Sequence, residues 1–285
     1  MKSCINPIFY CVVIEIVGAG LIGLSCAWEL RRRAFDVVVY EMDEDRKGSS
    51  SWAGAGMIAA HGESFPDAAW QERALESAKM YPAWVEAIGG NIDFCPPTTT
   101  ADGHVDPRDL LRELAAQLPI EFRKVESLDD LHGEQVIVCA GAWSNLLGSL
   151  PAVEPVKGYL LAWDSIAPGS LKSILRDGHT YVFQRVNGRI VAGSTEQRIG
   201  FDRYTDPELV SDLQQRAQAL WPPLKDLPFD DCWFGFRPAT ADGFPVVERL
   251  GSRCIAAYGH YRNGILLAPW TARWVADEVQ RQLGK

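Results

Sequence analysis

A chain of 285 residues with 47% hydrophobic side chains has ample material for one large domain or two interleaved ones, which excludes an intrinsically disordered protein. Its formal charge of −9 at pH 7 supplies no field that would draw nucleic acid or an anionic membrane surface, so the expected partner is a small molecule. Seven cysteines, at 4, 11, 26, 95, 139, 232 and 254, are odd in number and scattered, with no zinc spacing and no Cys-x-x-Cys pair; they read as small core residues of a reducing cytosol, and no metal site is expected.

Lys2 followed by the apolar run Ile8 to Val17 imitates a short signal peptide, but Glu15 interrupts it and a glycine motif begins at once. No run of about 18 apolar residues occurs anywhere, so the expectation is a soluble cytoplasmic protein. Phe9 to Val17 has the Val, Ile and aromatic content of a buried strand, Leu21 to Arg33 has helical spacing and ends in three arginines, and Asp36 to Glu41 reads as a second strand. Between strand and helix lies Gly18-Ala19-Gly20-Leu21-Ile22-Gly23. The glycines permit a tight turn and let the backbone of Gly18, Gly20, Leu21, Ile22 and Gly23 approach a pyrophosphate at the helix N-terminus. Glu41, eighteen residues after Gly23, stands where the acidic partner of an adenosine ribose belongs. The fingerprint predicts a dinucleotide but does not separate a nicotinamide from a flavin. The run Gly48-Ser49-Ser50-Ser51-Trp52-Ala53-Gly54-Ala55-Gly56-Met57-Ile58 points to a flavin, because small residues let backbone amides reach a bulky planar ring and serines can bond its phosphates.

Further along, Trp70 to Ile88 and Pro107 to Gln117 read as helices, and Ile120 to Val125 and Val136 to Cys139 as strands. Val156 to Trp163, Thr180 to Val186 and Arg189 to Ala192 are strand-like, with Asn187-Gly188 a strong hairpin signal. Asp206 to Leu220 reads as a helix stopped by Pro222-Pro223, and Asn263 to about Arg281 as a final helix in which Pro269 marks a kink or the true start. No internal repeat or low-complexity segment interrupts this order.

Several blocks together resemble the D-amino acid oxidase-like flavoenzymes, and within them the glycine oxidases of the thiamine-biosynthesis type. They are VGAGLIGLSCAWEL, AGAGMIAAH, GHVDPRDLLREL, VIVCAGAWS, PVKGYLLAW, YVFQRVNGRIVAGSTEQRIGFD, WFGFRPATADGFPVVE and AYGHYRNGILLAP, the last two being the most specific. The resemblance implies an α/β fold in which a discontinuous Rossmann-like FAD-binding domain (1–60, 104–155 and 232–285) is interleaved with an antiparallel-sheet, α+β substrate domain (61–103 and 156–231). One departure stands out. Only a short connection, Gly89 to Gly103, joins the Trp70–Ile88 helix to His104-Val105-Asp106-Pro107, where the family usually carries more chain, so a shortened substrate domain and a more open pocket are expected.

The resemblance further implies non-covalent FAD, with Met42, Ser50, Ser51, Ala55, Gly56 and Met57 beside the cofactor, Val125 near its adenine and Gly141 as another close backbone approach. His260, Tyr261, Arg262, Asn263, Gly264, Ile265 and Leu266 would complete the set, the last helix aiming its N-terminus at the flavin. Arg237 and Arg262 are the candidates to bind a substrate carboxylate, Arg237 being the stronger, and Tyr181 would add its hydroxyl. Each has a bland reading as well: an ion pair of Arg237 with Asp230, Asp231 or Asp242, a loop brace for Arg262, strand packing for Tyr181. His179 and His260 read as structural imidazoles before they read as bases, and no certain catalytic residue is named. The implied activity is FAD-dependent oxidative deamination of glycine or another small amine. Hydride passes from Cα to flavin N5, the imine hydrolyses to glyoxylate and ammonia, O2 is reduced to H2O2, and thiazole formation in thiamine biosynthesis is served. A D-amino acid or sarcosine dehydrogenase or oxidase of other specificity is an alternative, and a non-catalytic flavin-binding protein is one of another class. A homo-oligomer is compatible with all three.

Overall fold

The computed structural model describes residues 13–63, 65 and 67–284. The expected first half of the N-terminal strand, Phe9 to Val12, lies outside the described residues, as do Lys2, Cys4, Ile8 and Cys11. In chain order come β1 (Val13–Val17), α1 (Leu21–Arg32), β2 (Asp36–Glu41), β3 (Met57–Ile58), α2 (Ala68–Ile88), β4 (Phe94–Cys95), β5 (Gly103–Val105) and α3 (Pro107–Ala115). They are followed by β6 (Ile120–Phe122), β7 (Gln135–Val138), β8 (Glu154–Trp163), β9 (Leu175–Asp177), β10 (Thr180–Gln184) and β11 (Ile190–Gly193). The remainder is α4 (Pro207–Leu220), β12 (Asp231–Ala239), β13 (Val246–Leu250), β14 (Cys254–Tyr258) and α5 (Gly264–Leu283).

Three sheets result, in the orders β13-β14-β7-β1-β2-β6, β12-β8-β11-β10-β9 and β3-β5-β4. The first is parallel apart from the β13–β14 hairpin. Its central strand β1 lies between β2 and β7, with Ile14 and Ile16 fully buried on one face and Glu15 buried on the other, where it accepts from the Tyr40 hydroxyl at 3.0 Å. Helices α1, α2, α3 and α5 close over it around the largest apolar cluster, while α4 covers one face of the antiparallel five-stranded sheet. Both Asp-Pro pairs act as helix starts: Asp106 accepts from the Arg108 amide at 2.8 Å and Asp206 from the Glu208 amide at 3.0 Å, with proline at the first helical position. No helix among the described residues is long and apolar enough to cross a membrane.

The structure corrects the sequence reading at four places. Strand β6 stops at Phe122 rather than Val125, because its partner β2 ends at Glu41, opposite Phe122. The short strands β3, β4 and β5, two to three residues each, carry too little pattern to be seen in advance. The segment assigned to the cofactor part from 232 onward begins inside β12, which pairs along its whole length with β8, from Asp231 opposite Ala162 to Ala239 opposite Glu154, and so belongs to the five-stranded sheet. Finally, Pro269 neither starts nor ends α5, which runs through it from Gly264. A proline in a helix deprives the carbonyl four residues back of its donor, here Ile265, and the Tyr81 hydroxyl from α2 donates to that carbonyl instead.

Candidate active site

The turn after β1 holds its conformation by three bonds. Gly18 donates to the Tyr40 carbonyl (2.8 Å), Ala19 to the Glu41 carboxylate (2.7 Å) and Leu21 to the Ser51 hydroxyl (3.0 Å). Gly18 has a φ of +103°, and a Cβ there would stand 2.6 Å from the Cys139 carbonyl oxygen, so only glycine fits between β1 and β7. A Cβ on Gly23 would run into the Gly18 carbonyl; this third glycine serves close packing of α1 on the turn and does not line the cleft. Glu41 also accepts from the Met42 and Asp43 amides at 2.9 and 3.1 Å, which fixes its carboxylate at the end of β2.

Above this turn lies a cleft of about 1350 Å³ including its mouth, walled by Gly18, Gly20, Leu21 and Ile22, by Glu41 and Met42, by Ser50 and Ser51, and by Val125, Gly141 and His260. The N-cap residues of both helices that point here, Gly20 of α1 and Asn263 of α5, make no side-chain cap, so first-turn amides other than that of Leu21, which Ser51 takes, are available to phosphate or to a reduced ring. His260 is 3% exposed and its Nε2 lies 3.0 Å from the Thr271 hydroxyl. Burial pulls its pKa down to about 3, so it is a neutral wall of the cleft and no proton carrier at neutral pH.

A second cavity, about 800 Å³ with its opening, adjoins the first through Ser50, Ser51, Tyr261 and Gly264, which line both. Its floor is the five-stranded sheet. Arg237 of β12 reaches across the neighbouring β8 exactly where Gly158 has no side chain; a Cβ on Gly158 would collide with the guanidinium, just as one on Gly193 would collide with the Tyr181 hydroxyl. Arg237 donates to the Thr195 carbonyl at 3.1 Å, and none of the ion pairs among the described residues includes it. The three aspartates offered by the sequence as its ion-pair partners are engaged elsewhere: Asp231 pairs with Arg189 at 2.8 Å, Asp230 accepts from the Asp164 amide and Asp242 from that of Phe244.

Arg262 is differently placed. Its Nη2 lies 3.2 Å from Glu63 Oε1 and its Nη1 3.4 Å from His179 Nδ1. Burial works to lower its pKa, but Glu63 outweighs this and the net shift is upward, so Arg262 stays charged. Tyr181 is 7% exposed; burial raises its pKa against the opposing pull of Arg237 and Arg262, leaving a protonated hydroxyl that can donate. Tyr261, in the left-handed region at φ +49°, donates its amide to Pro238 O at 3.0 Å, and burial with a Glu196 hydrogen bond pushes its phenol up to about 12. Ala55, Gly56, Met57, Asn263 and Ile265 line the same cavity, whereas Leu266 is 1% exposed within the main core and lines neither.

Three contributors escaped the sequence reading. Glu63 is a single acid after a glycine, with nothing in its spacing to distinguish it. Gly158 had a signal, since a glycine inside a strand marks a close approach. Arg185, 4% exposed, holds the carbonyls of Ala55 at 3.0 Å and Val105 at 3.1 Å and pairs with Asp106 at 3.3 Å, thereby clamping the loop before β3 onto the end of β5; only the fold brings these together.

The chain matches the family model for FAD dependent oxidoreductases (DAO) over residues 14–99 and 97–278. The two matched segments meet at 97–99, inside the connection expected to be short, where β4 and β5 are joined by a turn in which the Thr98 amide donates to Ala101 O at 2.9 Å. A glycine oxidase of Pseudomonas aeruginosa is 34% identical over 344 aligned positions, covering 93% of each protein. That span exceeds the 285 residues of the whole chain, so the relative carries residues with no counterpart here. The crystal structure of glycine oxidase from Geobacillus kaustophilus superposes with a TM-score of 0.82 at 25% identity, covering 94% of each chain. A bifunctional ThiO/ThiG protein of Synechocystis sp. is 29% identical over 94% of this chain, which spans about half (52%) of that relative's length. The glycine turn, the uncapped helix ends and the cleft running from Gly18 past Glu41 to His260 suit the cofactor the family name states, and the chain belongs to the DAO family of FAD dependent oxidoreductases.

Proposed function

We propose that this protein oxidises glycine or a comparably small amine, glycine and O2 with water giving glyoxylate, ammonia and H2O2, in the service of thiazole formation for thiamine. The observation that carries the reading is Arg237: a cation without a carboxylate partner among the described residues, facing a cavity whose far wall is shared with the cofactor cleft. Bound FAD supplies the two-electron acceptor. The chain's own residues bind and orient. Arg237 takes the substrate carboxylate, Tyr181 donates a hydrogen bond to it, and the substrate Cα is then directed toward the wall formed by Ser50, Tyr261 and Gly264. The six-stranded sheet with its helices carries the cofactor and the five-stranded sheet carries the substrate. His260, its pKa held at about 3 by burial, is too weak a base, and His179 lines neither cavity, so the amine gives up its proton to water before oxidation. A cytoplasmic location fits this role.

Purified protein supplied with glycine in air is expected to release glyoxylate, ammonia and peroxide in equal amounts. Formation of none of them, with FAD bound, contradicts the reading.

A further inference from the structure

Three charged side chains line the substrate cavity, Arg237, Arg262 and Glu63, and their formal sum is +1. The two cations are not equivalent. Arg237 is met only by the neutral Thr195 carbonyl, whereas Arg262 is held by the Glu63 carboxylate at 3.2 Å. Glu63 is itself fixed: its amide donates to the Ala59 carbonyl at 3.1 Å and its side chain is 15% exposed, so the carboxylate is part of the wall. An anion entering the cavity therefore finds one open guanidinium and one already closed by a carboxylate that repels a second negative group.

We infer that Glu63 is a specificity-determining residue, which by neutralising Arg262 restricts the cavity to amines bearing a single carboxylate and turns away those bearing two, such as dicarboxylic amino acids and N-carboxymethyl amines. The identity of the oxidised amine rests on the function proposed above; the charge selection rests on the three side chains alone. Nothing else lining the cavity supplies a second open cation. The residues that do carry further charge nearby are themselves paired, Arg176 with Asp102 at 2.8 Å.

The test uses the FAD-bound protein and two unreactive probes, acetate and malonate, with dissociation constants read from the perturbation of the flavin absorption spectrum. Wild-type protein is expected to bind acetate at least as tightly as malonate. Glu63→Gln frees Arg262 and is expected to tighten malonate relative to acetate at least tenfold, while Glu63→Asp keeps the wild-type order. In turnover, the kcat/KM of iminodiacetate relative to glycine rises at least tenfold in Glu63→Gln. A malonate-to-acetate ratio within twofold of wild type in that variant overturns the inference, as does wild-type protein that binds malonate tenfold tighter than acetate. The second comparison decides the matter if the variant loses its flavin. Glycine that reduces the wild-type flavin while the probe ratio stays fixed sinks only the charge selection; a shifted ratio in a protein that glycine does not reduce sinks only the glycine reading.

Discussion

Replacing Arg237 with methionine removes the charge while keeping an unbranched side chain over Gly158, so the floor of the cavity stays filled. On the proposed reading the pair that is lost is a guanidinium–carboxylate contact, and truncating one partner of a buried pair of this kind costs about 2–5 kcal/mol. At 1.4 kcal/mol per tenfold, kcat/KM for glycine is expected to fall by roughly thirtyfold to a few thousandfold. Arg262 cannot take over, because Glu63 already holds it at 3.2 Å. The loss should fall mainly on KM, since the carboxylate is bound in ground and transition states alike. The assay is steady-state peroxide release over a wide range of glycine concentration, with bound FAD measured by absorbance to show that the cleft is intact. A variant that retains its flavin and oxidises glycine with a KM within threefold of wild type would refute Arg237 as the anchor.

Gly158→Ala places a methyl group where the Arg237 guanidinium lies and should reproduce much of that KM increase; combined with Arg237→Met it should add little, and additive effects would show that Gly158 acts by another route. Tyr81→Phe strips the Ile265 carbonyl of the donor that stands in for the missing Pro269 amide, at a cost of about 1–3 kcal/mol, and calorimetry should show a thermal midpoint lower by a few degrees. His260 has a folded pKa of about 3, below the ordinary value of 6.5, so the unfolded chain binds more protons between those values. Stability from this residue is complete above pH 6.5 and is lost as pH falls toward 3; thermal midpoints of His260→Gln should decline less steeply than wild type across that window, and parallel curves would contradict the assignment.

The nucleotide-binding unit was legible because its information is local. Glycines in a strand-to-helix turn, an acid at the end of the next strand and Asp-Pro helix starts each determine structure within a few residues, and β2 runs from Asp36 to Glu41 as read. What stayed hidden depends on partners far apart in the chain. Strand β12 looked like part of the cofactor unit until its pairing with β8 was seen, and Pro269 reads as a kink or a helix start because its compensating donor, Tyr81, is 188 positions away in sequence and belongs to α2. The carboxylate candidates Arg237, Arg262 and Tyr181 do converge on one cavity, but the inequality of the two arginines required Glu63, a residue whose neighbours in sequence say nothing of its role.

The central claim is that a substrate amine held by Arg237 lies against bound FAD. The most direct test is the visible spectrum of the purified protein without oxygen, before and after glycine is added. The structure predicts that the oxidised flavin bands disappear with glycine and return on admission of air. A flavin spectrum that saturating glycine leaves unchanged would contradict it.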